Sequence, residues 1–217
     1  MVDIIRNWLL NLIPLIPVFL ICLPVHEFAH AFAADRLGDP TPRRDGRLSL
    51  NPLHHLDPLG SLCMILTQRF GWAKPVVVNP FMLRDGRKGM AIVAVAGPIA
   101  NLIMTVAFAV LARLVWFLAP VVSGTAFTVV YIVVNILLDI AIINLGLAVF
   151  NLIPIPPLDG SKILYFFIPQ RIAMKIEQYE FYIQIAFMVL LFSGVASGFV
   201  SRITTPILNF LYTILHF

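Results

Sequence analysis

The sequence predicts an all-α, polytopic membrane protein, and three observations predict it. Of its 217 residues 60% are hydrophobic and 12% charged, with a mean hydropathy of +0.93, outside the range of a water-soluble domain. The apolar residues gather into stretches of about twenty or more, the length that crosses a hydrocarbon core of about 30 Å. The loops between these stretches are unequally charged: nine Lys or Arg lie in residues 35–89, three in 159–180 and none in 120–127. Positive loops stay cytoplasmic, so 35–89 and 159–180 face the cytoplasm and both termini lie outside. The expected architecture is about four main transmembrane helices, a short re-entrant or β-hairpin segment and a short C-terminal helix. They form a single membrane-embedded domain over residues 1–217, with a core at about 8–165 and C-terminal helices at 181–217. The formal charge of +4 fits loops facing anionic lipid, and no nucleic-acid-binding motif accompanies it.

The first stretch, Trp8 to Ala34, is interrupted by Pro14, Pro17 and Pro24, which predict a bent span. Its only charged or histidine side chains are those of His26-Glu27-Phe28-Ala29-His30. Two histidines at i and i+4 share a helix face, so both rings can reach one ion. This is the H-E-x-x-H pattern, in which two imidazoles hold zinc and the glutamate beside the ion takes a proton from the attacking water. An ionisable group inside a membrane segment is costly, which favours a functional role over a chance match. The start of the chain lacks a signal-peptide charge pattern and cleavage site and carries this motif, so retention is expected. Cys22 and Cys63 lie in apolar runs without C-x-x-C spacing and read as packing residues.

Residues 35–57 are polar and rich in Pro, Gly and Arg, a loop with turns. Two apolar pieces follow, Leu59 to Thr67 and Pro75 to Leu83, each too short to cross the bilayer. Val76, Val77 and Val78 are β-branched and suggest a strand, either one that pairs with an unwound substrate or, equally, a segment (75–80) that only fills the space beside the first span; the second candidate edge is Ile153 to Leu158. Met90 to Val122 is a span containing Ala96-Gly97-Pro98-Ile99-Ala100-Asn101, whose small residues permit close helix approach. Ala126 to Leu158 is the next span. It carries Asp139, expected to face the bundle bonded to Asn135 or a buried water, and Asn144 and Asn151, seven apart on one face. Pro154, Pro156 and Pro157 stop the helix, so an extended segment should lead to Asp159, a carboxylate at a broken helix end. Phe181 to Val200 reads as a spanning helix with Gly194 and Gly198 as a close-packing face, and Ile203 to Phe217 as an interfacial helix or incomplete span.

The charge rule places the ends of the first span and of the span before Asp159 on one side of the membrane. His26, His30 and Asp159 then form an open zinc ligand set, two nitrogens and one oxygen with a fourth position free. Glu27 is the base, Asn151 the first and Asn144 the second candidate to stabilise the oxyanion. His54 and His55 are competing ligands in the loop.

The H-E-F-A-H motif in a membrane span, the A-G-P-I-A-N motif in a middle span and the segment Asn151 to Gly160 together resemble the site-2 protease family of intramembrane zinc metalloproteases. The resemblance implies one zinc ion on His26, His30 and Asp159, the base at Glu27, and cleavage of membrane-spanning peptides or proteins near the cytoplasmic side of a prokaryotic plasma membrane. It resembles a minimal form, with no room for the PDZ or CBS domains of many relatives. A metal or proton transporter and a catalytically silent adaptor are the alternatives. The first lacks an internal repeat, and the second should have lost Glu27 or a ligand.

Overall fold

The computed structural model describes residues 2–67, 71–192 and 195–215, and its regular structure among these is entirely helical. The elements are α1 (Val2–Pro17), a π-helical turn (Val18–Cys22), α2 (Leu23–Arg36), α3 (Thr41–Arg44), α4 (Pro58–Thr67), α5 (Arg87–Trp116), α6 (Gly124–Asn151), α7 (Asp159–Phe167), α8 (Gln170–Gln178), α9 (Glu180–Phe192) and α10 (Val195–Leu215). Among the described residues three helical segments are long and apolar enough to cross a membrane: Leu12–Arg36, Arg87–Val121 and Gly124–Asn151.

The bend expected from the prolines of the first span takes the form of the π-turn. Pro24 has no N–H and its ring crowds the carbonyl one turn back, and the wider turn between Pro17 and Pro24 accommodates it, with the Leu23 N–H bonded to the Val18 carbonyl. Val18 and Cys22 are buried there against Ile140 of α6. α5 is the hub of the bundle, packing on α2, α6 and α7.

The segment between α2 and α5 is re-entrant in shape but, among the described residues, is not a β-hairpin. α4 is followed by a returning chain, residues 71–80, whose one ladder contact among the described residues is an isolated bridge between Leu56 and Ala73. α4 and the returning chain approach too closely for side chains: a Cβ on Gly60 would collide with Trp72, and one on Gly71 with Met64 and the Gly60 carbonyl. Residues 74–79 are pinned at both ends. The Lys74 N–H bonds the His55 carbonyl at 2.8 Å, and the Asn79 N–H bonds Oδ2 of the fully buried Asp39 at 2.6 Å. Between the pins, the backbones of Val76, Val77 and Val78 make no hydrogen bond among the described residues.

Two other expectations change. The segment before Asp159 is folded into tight turns, with Ile155 N–H to the Ile153 carbonyl and Leu158 N–H to the Ile155 carbonyl, so it offers no extended edge. The expected span Phe181 to Val200 includes residues 193 and 194, which lie outside the described residues; on either side of them lie α9, ending at Phe192, and α10, starting at Val195. Gly194 lies outside the described residues, and a Cβ on Gly198 meets nothing within 4 Å among the described residues. Asp139 is exposed and makes no hydrogen bond or ion pair among the described residues, while the Asn135 amide donates to its own helix at the Tyr131 carbonyl, 2.7 Å away. The reason is rotational. The core face of α6 carries Ala141, Asn144, Leu145 and Ala148, and Asp139 falls on the other side.

Candidate metal centre and active-site cleft

Three side chains from two distant segments converge at one end of the bundle. His26 and His30 project from one face of α2, and Asp159 is the first residue of α7. Nε2 of His26 and Nε2 of His30 are 3.1 Å apart, and each lies 3.4 and 3.3 Å, respectively, from Oδ2 of Asp159. A tetrahedral ion with bonds of about 2.0–2.1 Å separates its ligands by about 3.3–3.4 Å, so this triangle has the dimensions zinc requires. The atoms are also in the right state to bind. Nδ1 of His30 contacts the Val93 carbonyl at 2.8 Å, a bond that takes the proton on Nδ1 and leaves the Nε2 lone pair facing the triangle. Oδ2 of Asp159 is buried with no hydrogen-bond partner, an expensive arrangement unless a cation occupies the site. Burial disfavours the Asp159 carboxylate, but the adjacent imidazoles of His26 and His30 outweigh it and hold the carboxyl well below the usual range. Among the described residues this is the one group of three or more such side chains close enough to share an ion.

Backbone geometry explains why these residues meet. α5 lies directly against both imidazoles at Gly97, where a Cβ would collide with Nε2 and Cε1 of His30 and Cε1 of His26. Gly160 permits the return of the chain, since a Cβ there would strike the Leu152 and Ile153 carbonyls. α7 is capped at Leu158, whose backbone is extended and whose carbonyl accepts the Ser161 hydroxyl at 2.7 Å.

The triangle opens onto a cleft of about 680 Å³. Glu27 lines it, as do Asn151 at the end of α6 and Val76 and Val78 of the pinned segment. Val77 points away and is 59% exposed. Asn144 is not in the cleft: it is fully buried, its amide donating to the Ile140 carbonyl at 2.9 Å and contacting Cys22 Sγ at 3.0 Å, which removes it as an oxyanion donor. His54 and His55 are also elsewhere. Nδ1 of His54 contacts the Gly46 carbonyl, and Nε2 of the buried His55 the Ser49 carbonyl, so both serve the loop.

Sequence reasoning missed several contributors. Lys162, one turn after Asp159, and Gln184 and Phe187 of α9 line the cleft. The i, i+3 spacing could have pointed to Lys162, whereas the Val93 carbonyl and the Asp39 pin leave no signature in a sequence.

The profile of peptidase family M50 matches residues 14–192. Over 207 residues the chain is 35% identical to "Putative zinc metalloprotease YwhC" of Bacillus subtilis, covering 92% of this chain and 88% of the relative. It is 34% identical over 163 residues to "Putative zinc metalloprotease Rip2" of Mycolicibacterium smegmatis, covering 72% of this chain, and 32% identical over 153 residues to the Mycobacterium tuberculosis protein of that name, covering 67%. The chain spans 54% of the length of each Rip2 relative. No solved structure gives a significant match. With helices long enough to cross a bilayer and a zinc-sized donor triangle, the chain belongs to peptidase family M50, the site-2 protease family of membrane zinc metalloendopeptidases.

Proposed function

We propose that this protein is an intramembrane endopeptidase that holds one zinc ion on His26, His30 and Asp159 and hydrolyses peptide bonds of membrane-spanning substrates near the cytoplasmic face of a prokaryotic plasma membrane, the chemistry of regulated intramembrane proteolysis. The observation that carries the reading is the donor triangle at the end of a membrane span, opening onto a cleft that Glu27 lines. Bound there, zinc supplies a Lewis acid for the scissile carbonyl and for water. Glu27, beside the triangle and outside it, accepts the proton of the attacking water and returns it to the leaving amine. The Asn151 side chain donates a hydrogen bond to the oxygen on which charge develops.

A transmembrane helix hides its peptide bonds, so cleavage needs a surface that stabilises the unwound chain. The unpaired backbone of Val76 to Val78 meets that need. It is held taut between the Lys74 and Asn79 pins beside the cleft and offers donors and acceptors for edge-to-edge pairing. The test is cleavage of tagged single-span substrates by the purified chain in liposomes. Wild-type protein with zinc should release the cytoplasmic fragment and Glu27→Ala should not; equal release by both would refute the reading.

A further inference from the structure

The cleft holds one charged side chain that hydrolysis at the metal leaves without a task. Lys162 follows Asp159 by three residues on α7, so the two share a helix face, and both line the cleft. Among the described residues it is the one Lys or Arg that does so. The other charged or titratable groups there are the ligand set itself and Glu27 beside it. Lys162 is half-buried, and its ammonium stands 5.1 Å from the centre of the Tyr165 ring. An aromatic face steadies a cation but leaves N–H donors of the ammonium for another acceptor. No acceptor takes them: among the described residues Lys162 forms no hydrogen bond or ion pair. The nearest acidic candidates are Glu177, near the end of α8, and Glu180, at the start of α9, which act on Tyr165 through space. Neither pairs with Lys162, and Glu180 faces the Gln184 amide at 3.4 Å instead. A charged donor in a largely apolar cleft, with no acceptor of its own, is complementary to an anionic group that a ligand brings.

We propose that Lys162 is a specificity-determining residue that binds the carboxylate of a substrate Asp or Glu within two residues of the scissile bond. The distance follows from the helix. Side chains on a helix lean toward its N-terminus, so the Tyr165 ring lies back over the turn that holds Lys162, about 5 Å of rise beyond Asp159. An unwound chain advances about 3.3 Å per residue. An acidic side chain one or two positions from the carbonyl at the metal therefore meets the ammonium, and one five positions away does not. Val76 and Val78 of the pinned segment line the same cleft, so a chain laid along that segment passes α7. The inference rests on the proteolytic reading and adds the substrate feature that is recognised.

The experiment compares single-span substrates in liposomes of zwitterionic lipid, identical except for Glu, Gln or Lys two positions from the scissile bond, on each side in turn. Wild-type kcat/KM should favour Glu over Gln by about tenfold on one side, the size of one charge-assisted hydrogen bond. Lys162→Met should bring that ratio to about one, and Lys162→Glu should make the Lys substrate better than the Glu substrate. Moving the Glu to five positions away should abolish the preference. The ratio isolates recognition of the side chain, because misfolding slows every substrate alike and the new C-terminal carboxylate arises from all of them. A wild-type ratio of one on both sides, or a tenfold ratio that survives Lys162→Met, overturns the proposal. If no substrate is cleaved at all, the proteolytic reading fails and binding decides: the same substrates, fluorescently labelled, are titrated with zinc-loaded Glu27→Gln protein. A tenfold difference in Kd between Glu and Gln that disappears in Glu27→Gln/Lys162→Met supports the subsite, and equal Kd values overturn it.

Discussion

Replacing Gly97 by alanine adds one methyl group at the point where α5 touches the candidate metal centre. The new Cβ would stand 2.5 Å from Cε1 of His26 and closer still to Nε2 of His30, whereas ordinary contact begins near 3.4 Å. The rings must retreat by about 0.9 Å, or α5 must, and metal–ligand distances tolerate only about 0.2 Å. The demanded shift is therefore more than four times what the site can absorb. Moving α5 instead would break the Val93 carbonyl bond that orients His30 and loosen its packing on α2 and α7. Overpacking of this kind costs about 1–3 kcal/mol, less than the stability of a typical domain, so the helices should still assemble. Zinc affinity should fall by about a hundredfold or more, beyond the loss usual for changes just outside the ligands. Zinc per chain after dialysis against a graded chelator measures this, with helical content by circular dichroism as the folding check. Gly198→Ala, where a Cβ meets nothing within 4 Å, is the control and should bind zinc normally. Wild-type zinc affinity in Gly97→Ala would refute the reasoning, since it would mean that the imidazoles of the triangle are not the ligands or that α5 yields without cost.

Glu27→Ala should keep one zinc per chain while proteolysis falls by about 10²–10⁴-fold, because Glu27 lines the cleft but is outside the donor triangle. Asp159→Ala should lose zinc as well as activity, and unchanged metal content in that variant would remove Asp159 from the ligand set. Val77→Pro deletes an N–H that bonds nothing within the described residues, so stability and zinc should be nearly unchanged while cleavage of a helical substrate drops sharply. A substrate already unwound by Gly and Pro should not rescue it, and full cleavage would leave the segment a packing role alone. Asp39→Ala removes the acceptor of two backbone donors, Thr41 N–H at 2.9 Å and Asn79 N–H at 2.6 Å. Amide exchange at Val76 to Asn79 should accelerate by about tenfold or more as that end of the segment comes free, and KM should rise with zinc retained; unchanged exchange would show that Asp39 does not pin it.

Much of this protein is decided locally and is therefore readable in its sequence. Long apolar runs can satisfy their backbone in a bilayer only as helices, so class and the three long spans follow from composition and length. Helical periodicity puts His26 and His30 on one face, and the prolines after Asn151 end α6, which leaves Asp159 at a helix start. Tertiary structure decided what depends on contacts between distant segments. Gly97 lets α5 reach the imidazoles, and Gly160 turns the chain so that Asp159 meets them across more than a hundred residues. The rotation of α6 about its axis sent Asn144 into the core and Asp139 to the surface. Asn144 and Asn151 of α6 are seven apart and share a face by periodicity, yet only Asn151 reaches the cleft, because depth along the helix, which periodicity does not encode, separates them by about 10 Å. The same limit applies to Val76 to Val78. β-branching favours an extended chain, but a strand exists only when a partner bonds it, and within the described residues this chain supplies pins at the two ends and no partner between them.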